Sequence, residues 1–110
     1  MSDDLATMHC APQHGVAMTA AEIAQRLADV DGWLAVDGAI EKAFRFADYH
    51  ETMAFVNALA WIAHREDHHP ELLLGYNRCV VRWSTHSVGG VSINDFVCAA
   101  RADALLGRAA

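Results

Sequence analysis

The chain has 110 residues, a formal net charge of −6 and 54% hydrophobic residues, enough for one core in a chain the length of a single domain. A negative chain has no overall positive field to gather a phosphate backbone, which argues against direct nucleic-acid binding. Charged residues such as Arg26, Asp29, Glu41, Arg45, Glu51 and Arg82 interrupt every stretch that could approach the roughly 20 apolar residues of a membrane span.

Three cysteines, Cys10, Cys79 and Cys98, are an odd number without metal-type spacing, and no basic start followed by an apolar block marks an export signal. A reducing cytoplasm is the expected location. Residues 1–18 carry no periodicity and read as a flexible arm, leaving 19–110 as one domain. In "TAAEIAQRLADVDGW", Thr19 precedes Glu22 by three, a capping box, and Ile23, Leu27 and Val30 recur at helical spacing, so a helix is predicted over about residues 20–29. "WLAVDGAIEKAFRF" alternates around Asp37-Gly38, the pattern of a β-hairpin, with Ile40, Phe44 and Phe46 on one face.

From Asp48 to about His64 the period changes to that of a helix. Tyr49, Met53, Val56 and Ala60 form the predicted apolar stripe, with Phe55, Leu59 and Ile62 beside it, while His50, Asn57 and His64 share a polar face. Pro70 cannot continue that helix. "LLLGYNRCVVRWST" reads as two strands around a turn at Asn77-Arg78, and Ser92 with Asp95 caps a last helix carrying Ile93, Phe96, Val97, Ala100 and Ala104. The order is therefore α-β-β-α-β-β-α: an α+β fold with a four-stranded antiparallel sheet and helices packed on one face.

The stretch "HREDHHPELLLGY" gathers His64, His68 and His69 with three carboxylates. In a hairpin the start of the first strand lies beside the end of the second, so His68 and His69 should meet His86; a turn at Asn77-Arg78 pairs His69 with His86. Three readings compete for this convergence. A metal site could use His64 and His68, four apart, with His86, but Glu66 stands at the wrong position for the HExxH motif and no cysteine pair supports zinc, so no metal is expected. An acid/base site suits histidines, which exchange protons near neutral pH, with no serine or cysteine nucleophile beside them. The third is a polar helix end, favoured by the helix dipole, with no function.

His64, His68-His69-Pro70, Tyr76, His86 and Asp95, at these spacings, resemble the signature of pterin-4a-carbinolamine dehydratases. "TAAEIAQRLADVDGW" is similar to that family's first helix and following Gly-Trp, so the resemblance covers about residues 19–105. It implies a hydro-lyase that converts 4a-hydroxytetrahydropterin, the product of aromatic amino-acid hydroxylases, to quinonoid dihydropterin and water, in tetrahydrobiopterin recycling. His68, His69 and His86 become the catalytic histidines, His69 also holding the pterin; the pterin is substrate, and no cofactor is implied.

Further candidate substrate contacts are Asp67, Trp33, His64 and Asp95. Each has a second reading: Asp67 as a solvated side chain, Trp33 as core, His64 as polar helix face and Asp95 as helix cap. The chain departs from the family pattern at His64, where Glu is usual, and at Leu72, often Trp. A homodimer or homotetramer is expected, Trp61 marking a subunit contact. The alternative is a non-catalytic binding module, since relatives of this fold serve as a transcription-factor dimerisation cofactor and as Rubisco assembly factors.

Overall fold

The computed structural model describes residues 5–107. The helices are α1 (Ala20–Leu27), α2 (Tyr49–Glu66) and α3 (Ile93–Ala104); the strands are β1 (Leu34–Val36), β2 (Ala39–Arg45), β3 (Glu71–Leu74) and β4 (Arg78–Trp83). All strand pairs are antiparallel, in the order β1-β2-β4-β3. This is the expected α+β arrangement.

Local chemistry accounts for the boundaries. Thr19 caps α1 with its predicted box, Asp48 caps α2 by accepting from Glu51 N–H, and Ser92 with Asp95 forms a reciprocal box at α3. Asp37 and Gly38 both take positive φ (47° and 78°), as a tight two-residue hairpin turn requires. Ile40, Lys42 and Phe44 of β2 align with Trp83, Val81 and Cys79 of β4, and this face meets the helices. On the opposite face Arg82 links Glu41 (2.8 Å) and Glu71 (3.3 Å) across three strands.

Two expectations need correction. The buried stripe of α2 is Thr52, Phe55, Leu59, Ala63 and Glu66, whereas Tyr49 and Ala60 are exposed and Met53 and Val56 half-buried. Hydrophobicity mis-set the face because both ends of the stripe are polar groups with partners: the Thr52 hydroxyl meets the carbonyls of Asp48 and Tyr76, and Glu66 accepts from Cys10 N–H. The β3–β4 register is the second. Leu74 pairs with Cys79 and Gly75 N–H donates to Arg78 O, so the turn centres on Tyr76-Asn77, one residue earlier than predicted. His69 and His86 are not direct cross-strand partners. His86 opens a 3-10 turn (His86–Val88), inside a loop closed by a bridge between Thr85 and Gly90.

Of the segment expected as a flexible arm, residues 1–4 lie outside the described residues, and the part from Leu5 onward makes contacts with the domain. Leu5 is buried in the core, residues 8–13 are hydrogen-bonded to α2, α3 and the 3-10 turn, and Met18 N–H bonds Val91 O at 2.8 Å. Gly90 leaves the space through which this segment passes: a Cβ there would sit 2.8 Å from the Ala17 methyl. No described helix is long and apolar enough to cross a membrane.

Candidate functional site

At the end of α2, Asp67 takes the left-handed conformation (φ 50°), and the N–H groups of Asp67 and His68 return to His64 O and Ala63 O. This stop, followed by Pro70, turns the chain and drops the His68 side chain beneath the helix end. Its ring lies almost parallel to Trp83 (centroids 5.7 Å apart, 8° between planes). Its Nε2 lies 2.6 Å from Oδ1 of Asp95, a carboxylate with no solvent exposure. The other oxygen, Oδ2, accepts from Thr85 Oγ1 (2.8 Å) and from Ser92 N–H (2.9 Å). Asp95 is thus the helix cap of its second reading and also the partner of His68, and it is not among the residues that line the cavity around His68.

Around His68 lies a cavity of about 630 Å³. Its walls come from the end of α2 and the chain beyond it (Arg65, Glu66, Asp67, His68, His69), from Ser84, Thr85, His86 and Ser87, from Asn94, and from residues 10–13. The three histidines therefore converge despite the shifted register, because the 3-10 turn carries His86 back over the mouth that β3 and β4 leave open. Among the described residues, the imidazoles of His69 and His86 have no hydrogen-bond partner within the chain and stand free for a ligand. Asp67 also lines the cavity.

Two other candidates sit elsewhere. Trp33 is buried in the core: its indole N–H donates to Asp103 Oδ2 (3.0 Å), and its ring packs edge-on to Phe44. A glycine before it at a strand entrance carries no information about which way the ring turns, and the apolar interior with a buried acceptor won. His64 is exposed on α2 with its ring near Trp61, outside the cavity, because Arg65, Glu66 and the left-handed stop at Asp67 separate it from His68. Leu72 is partly exposed on β3 and is not a cavity residue.

Several site residues carried no signal in the sequence. Thr85 holds Asp95, Trp83 supports His68, and Glu66 is sunk in the wall with its side chain 4% exposed. Burial alone would raise the Glu66 carboxyl, but the Cys10 N–H, the His9 side chain and the Arg101 charge together hold it below its ordinary value. Among the described residues, no group of three His, Cys, Asp or Glu side chains is placed to hold a metal ion.

Comparison with known sequences extends these observations. The family described as Pterin 4 alpha carbinolamine dehydratase matches residues 16–105. The chain belongs to this family. A Nitrosospira multiformis relative with a provisional assignment as a pterin-4-alpha-carbinolamine dehydratase is 51% identical over 105 residues, covering 94% of this chain and 93% of its own. A relative from Xanthomonas campestris pv. campestris, with the same provisional assignment, is 60% identical over 98 residues, covering 86% and 83%. Among solved structures, a transcriptional coactivator/pterin dehydratase from Brucella melitensis is similar with a TM-score of 0.78 and 36% identity, over 81% of this chain and 97% of that one. A pterin dehydratase-like protein described as a RuBisCO assembly factor in the alpha-carboxysome is similar with a TM-score of 0.57 and 26% identity, over 68% and 87%. The pterin dehydratase fold thus serves more than one role in these similar proteins.

Proposed function

We propose that this protein dehydrates a 4a-hydroxytetrahydropterin to the quinonoid dihydropterin by histidine acid/base catalysis. The observation that carries the reading is the meeting of His68, His69 and His86 in one cavity, with His68 held by a buried carboxylate. The reaction requires a proton delivered to the departing 4a-hydroxyl and a proton removed from a ring nitrogen; both events suit imidazole near neutral pH. As a carboxylate, Asp95 only accepts hydrogen bonds, so it places the proton of a neutral His68 on Nε2 and leaves a lone pair at Nδ1, the state of a general base. His86, whose side chain has no hydrogen-bond partner among the described residues, is then the acid that protonates the leaving hydroxyl, and His69 helps hold the pterin. Thr85 and Trp83 fix the position of His68. Asp67 contributes a polar edge to the cavity.

The pterin is the substrate and no further cofactor enters this scheme. An aromatic amino-acid hydroxylase supplies it, in a reducing cytoplasm consistent with three free cysteines. The open edge of β3, with Leu72, Leu73 and Leu74 partly exposed, supports assembly into two or four copies. The second reading, a non-catalytic binding module, is favoured by the coactivator and assembly-factor relatives.

The test is the dehydration rate of freshly generated 4a-hydroxytetrahydropterin with the protein, without it, and with His86→Ala. Acceleration by the wild type that the variant loses is expected. A folded wild type that leaves the spontaneous rate unchanged would refute the enzyme and turn the search to protein partners.

A further inference from the structure

Residues 8–13 have no regular secondary structure, yet their polar backbone atoms are bound at close intervals by the domain. Arg101 Nε donates to Met8 O (2.8 Å), and Glu66 Oε1 accepts from Cys10 N–H (2.7 Å). Asn94 bonds Ala11 twice, accepting from its N–H (3.1 Å) and donating to its carbonyl (2.8 Å), and Ser87 Oγ donates to Gln13 O (2.9 Å). Three of these anchors neighbour the proposed machinery in sequence: Glu66 is two residues before His68, Asn94 precedes Asp95, and Ser87 follows His86. The elements that position the histidines therefore also hold this segment at the cavity, where residues 10–13 form part of the wall.

We propose that residues 10–13 are a substrate-contacting wall of the pterin pocket, held in place by Glu66 and Asn94 as positioning residues. This rests on the pterin reading above and adds a specificity element to it. The chemistry of the wall follows from what its anchors consume. The Cys10 and Ala11 N–H groups and the Ala11 and Gln13 carbonyls are already bonded, and Pro12 has no N–H. Among the groups left for a ligand, the Ala11 methyl and the Pro12 ring, both exposed, suit the flat face of a bicyclic heterocycle, while the Cys10 and Pro12 carbonyls and the Gln13 N–H and amide oxygen stay outside these anchors. The wall contributes to binding by shape and exclusion of water; proton transfer stays with the histidines. Its loss should therefore appear in KM and leave kcat intact.

Two measurements on the full chain test this. In Pro12→Asp, which alters an exposed residue, KM should rise about tenfold with kcat within about twofold and an unchanged melting temperature, since a charge at the wall opposes only the bound heterocycle. In the wild type, Cys10 is half-buried, its Sγ 3.5 Å from Cys98 Sγ, whereas Cys79 and Cys98 are fully buried, so iodoacetamide should label Cys10 first. Mass spectrometry should show 7,8-dihydrobiopterin slowing its labelling.

The outcomes separate the two readings. Turnover with an unaltered KM in Pro12→Asp and no protection of Cys10 overturns the wall and leaves the enzyme standing. Protection of Cys10 without turnover keeps the wall as a binding element and removes the dehydratase. Neither turnover nor protection overturns both.

Discussion

Replacing Asp95 by Asn separates the two duties of that side chain. The amide oxygen can take the place of Oδ2 and keep the bonds from Ser92 N–H and Thr85 Oγ1, so the cap of α3 survives. The amide nitrogen then stands where Oδ1 was, 2.6 Å from His68 Nε2, and offers a proton where the carboxylate received one. His68 must present a lone pair at Nε2 and carry its proton on Nδ1, the tautomer that cannot act as a base there. The structural loss is one buried, charge-assisted hydrogen bond, about 2 kcal/mol, or a fall of roughly 10 °C in Tm for a domain of this size. The catalytic loss is that of a general base, about 100-fold or more in kcat with KM little changed. Calorimetry and initial rates on the same preparation separate the two effects. A folded Asp95→Asn protein with wild-type kcat would refute the tautomer argument and with it the role given to His68.

Three further outcomes follow from the charges and thiols. Because the Glu66 carboxyl is held below its ordinary value of 4.5, its stabilising contribution is present above that pH and lost as pH falls through the lower folded value. Thermal unfolding in that acid window should therefore fall more steeply in the wild type than in Glu66→Gln, and parallel curves would sink the assignment. Burial pushes the Cys79 thiol up from 9.0 to about 11, so the protonated thiol stabilises the fold below pH 9, a contribution lost between pH 9 and about 11. Cys79→Ala, less stable at pH 7 through lost packing, should lose less additional stability over that alkaline range. Lys42 Nζ and the Trp33 indole N–H share the Asp103 carboxylate at 2.9 and 3.0 Å. Asp103→Ala should cost about 3 kcal/mol in urea unfolding and Lys42→Met/Asp103→Asn clearly less, since only the first strands a partly buried ammonium. Equal costs would mean the pair contributes packing alone.

Strand and helix order were legible because the sequence changes period at recognisable stops: Thr19, Asp37-Gly38, Asp48, Pro70 and Ser92 each carry their own local chemistry. The cluster around His68, His69 and His86 was legible through hairpin geometry even though the turn sits one residue earlier, because an error of that size moves the partners without separating the ends. What could not be read was anything whose partner lies far away in sequence. Thr52 and Glu66 look like surface residues until Tyr76 O and Cys10 N–H arrive from 24 and 56 residues away. Trp33 looked equally suited to cavity and core until Asp103, 70 residues on, supplied its acceptor. Residues 8–13 have no period because side chains on other elements impose their shape.

The left-handed Asp67 makes the length of α2 a fixed quantity. The helix is pinned at its start by the Asp48 cap and at its end by this residue, and His68 follows at once. One residue inserted between the two pins would turn His68 by about 100° and advance it about 1.5 Å, far outside the reach of a 2.6 Å bond to Asp95. α2 thus works as a measuring rod, and length variation in this protein belongs in a turn that bears no such reference point, at Asp37-Gly38.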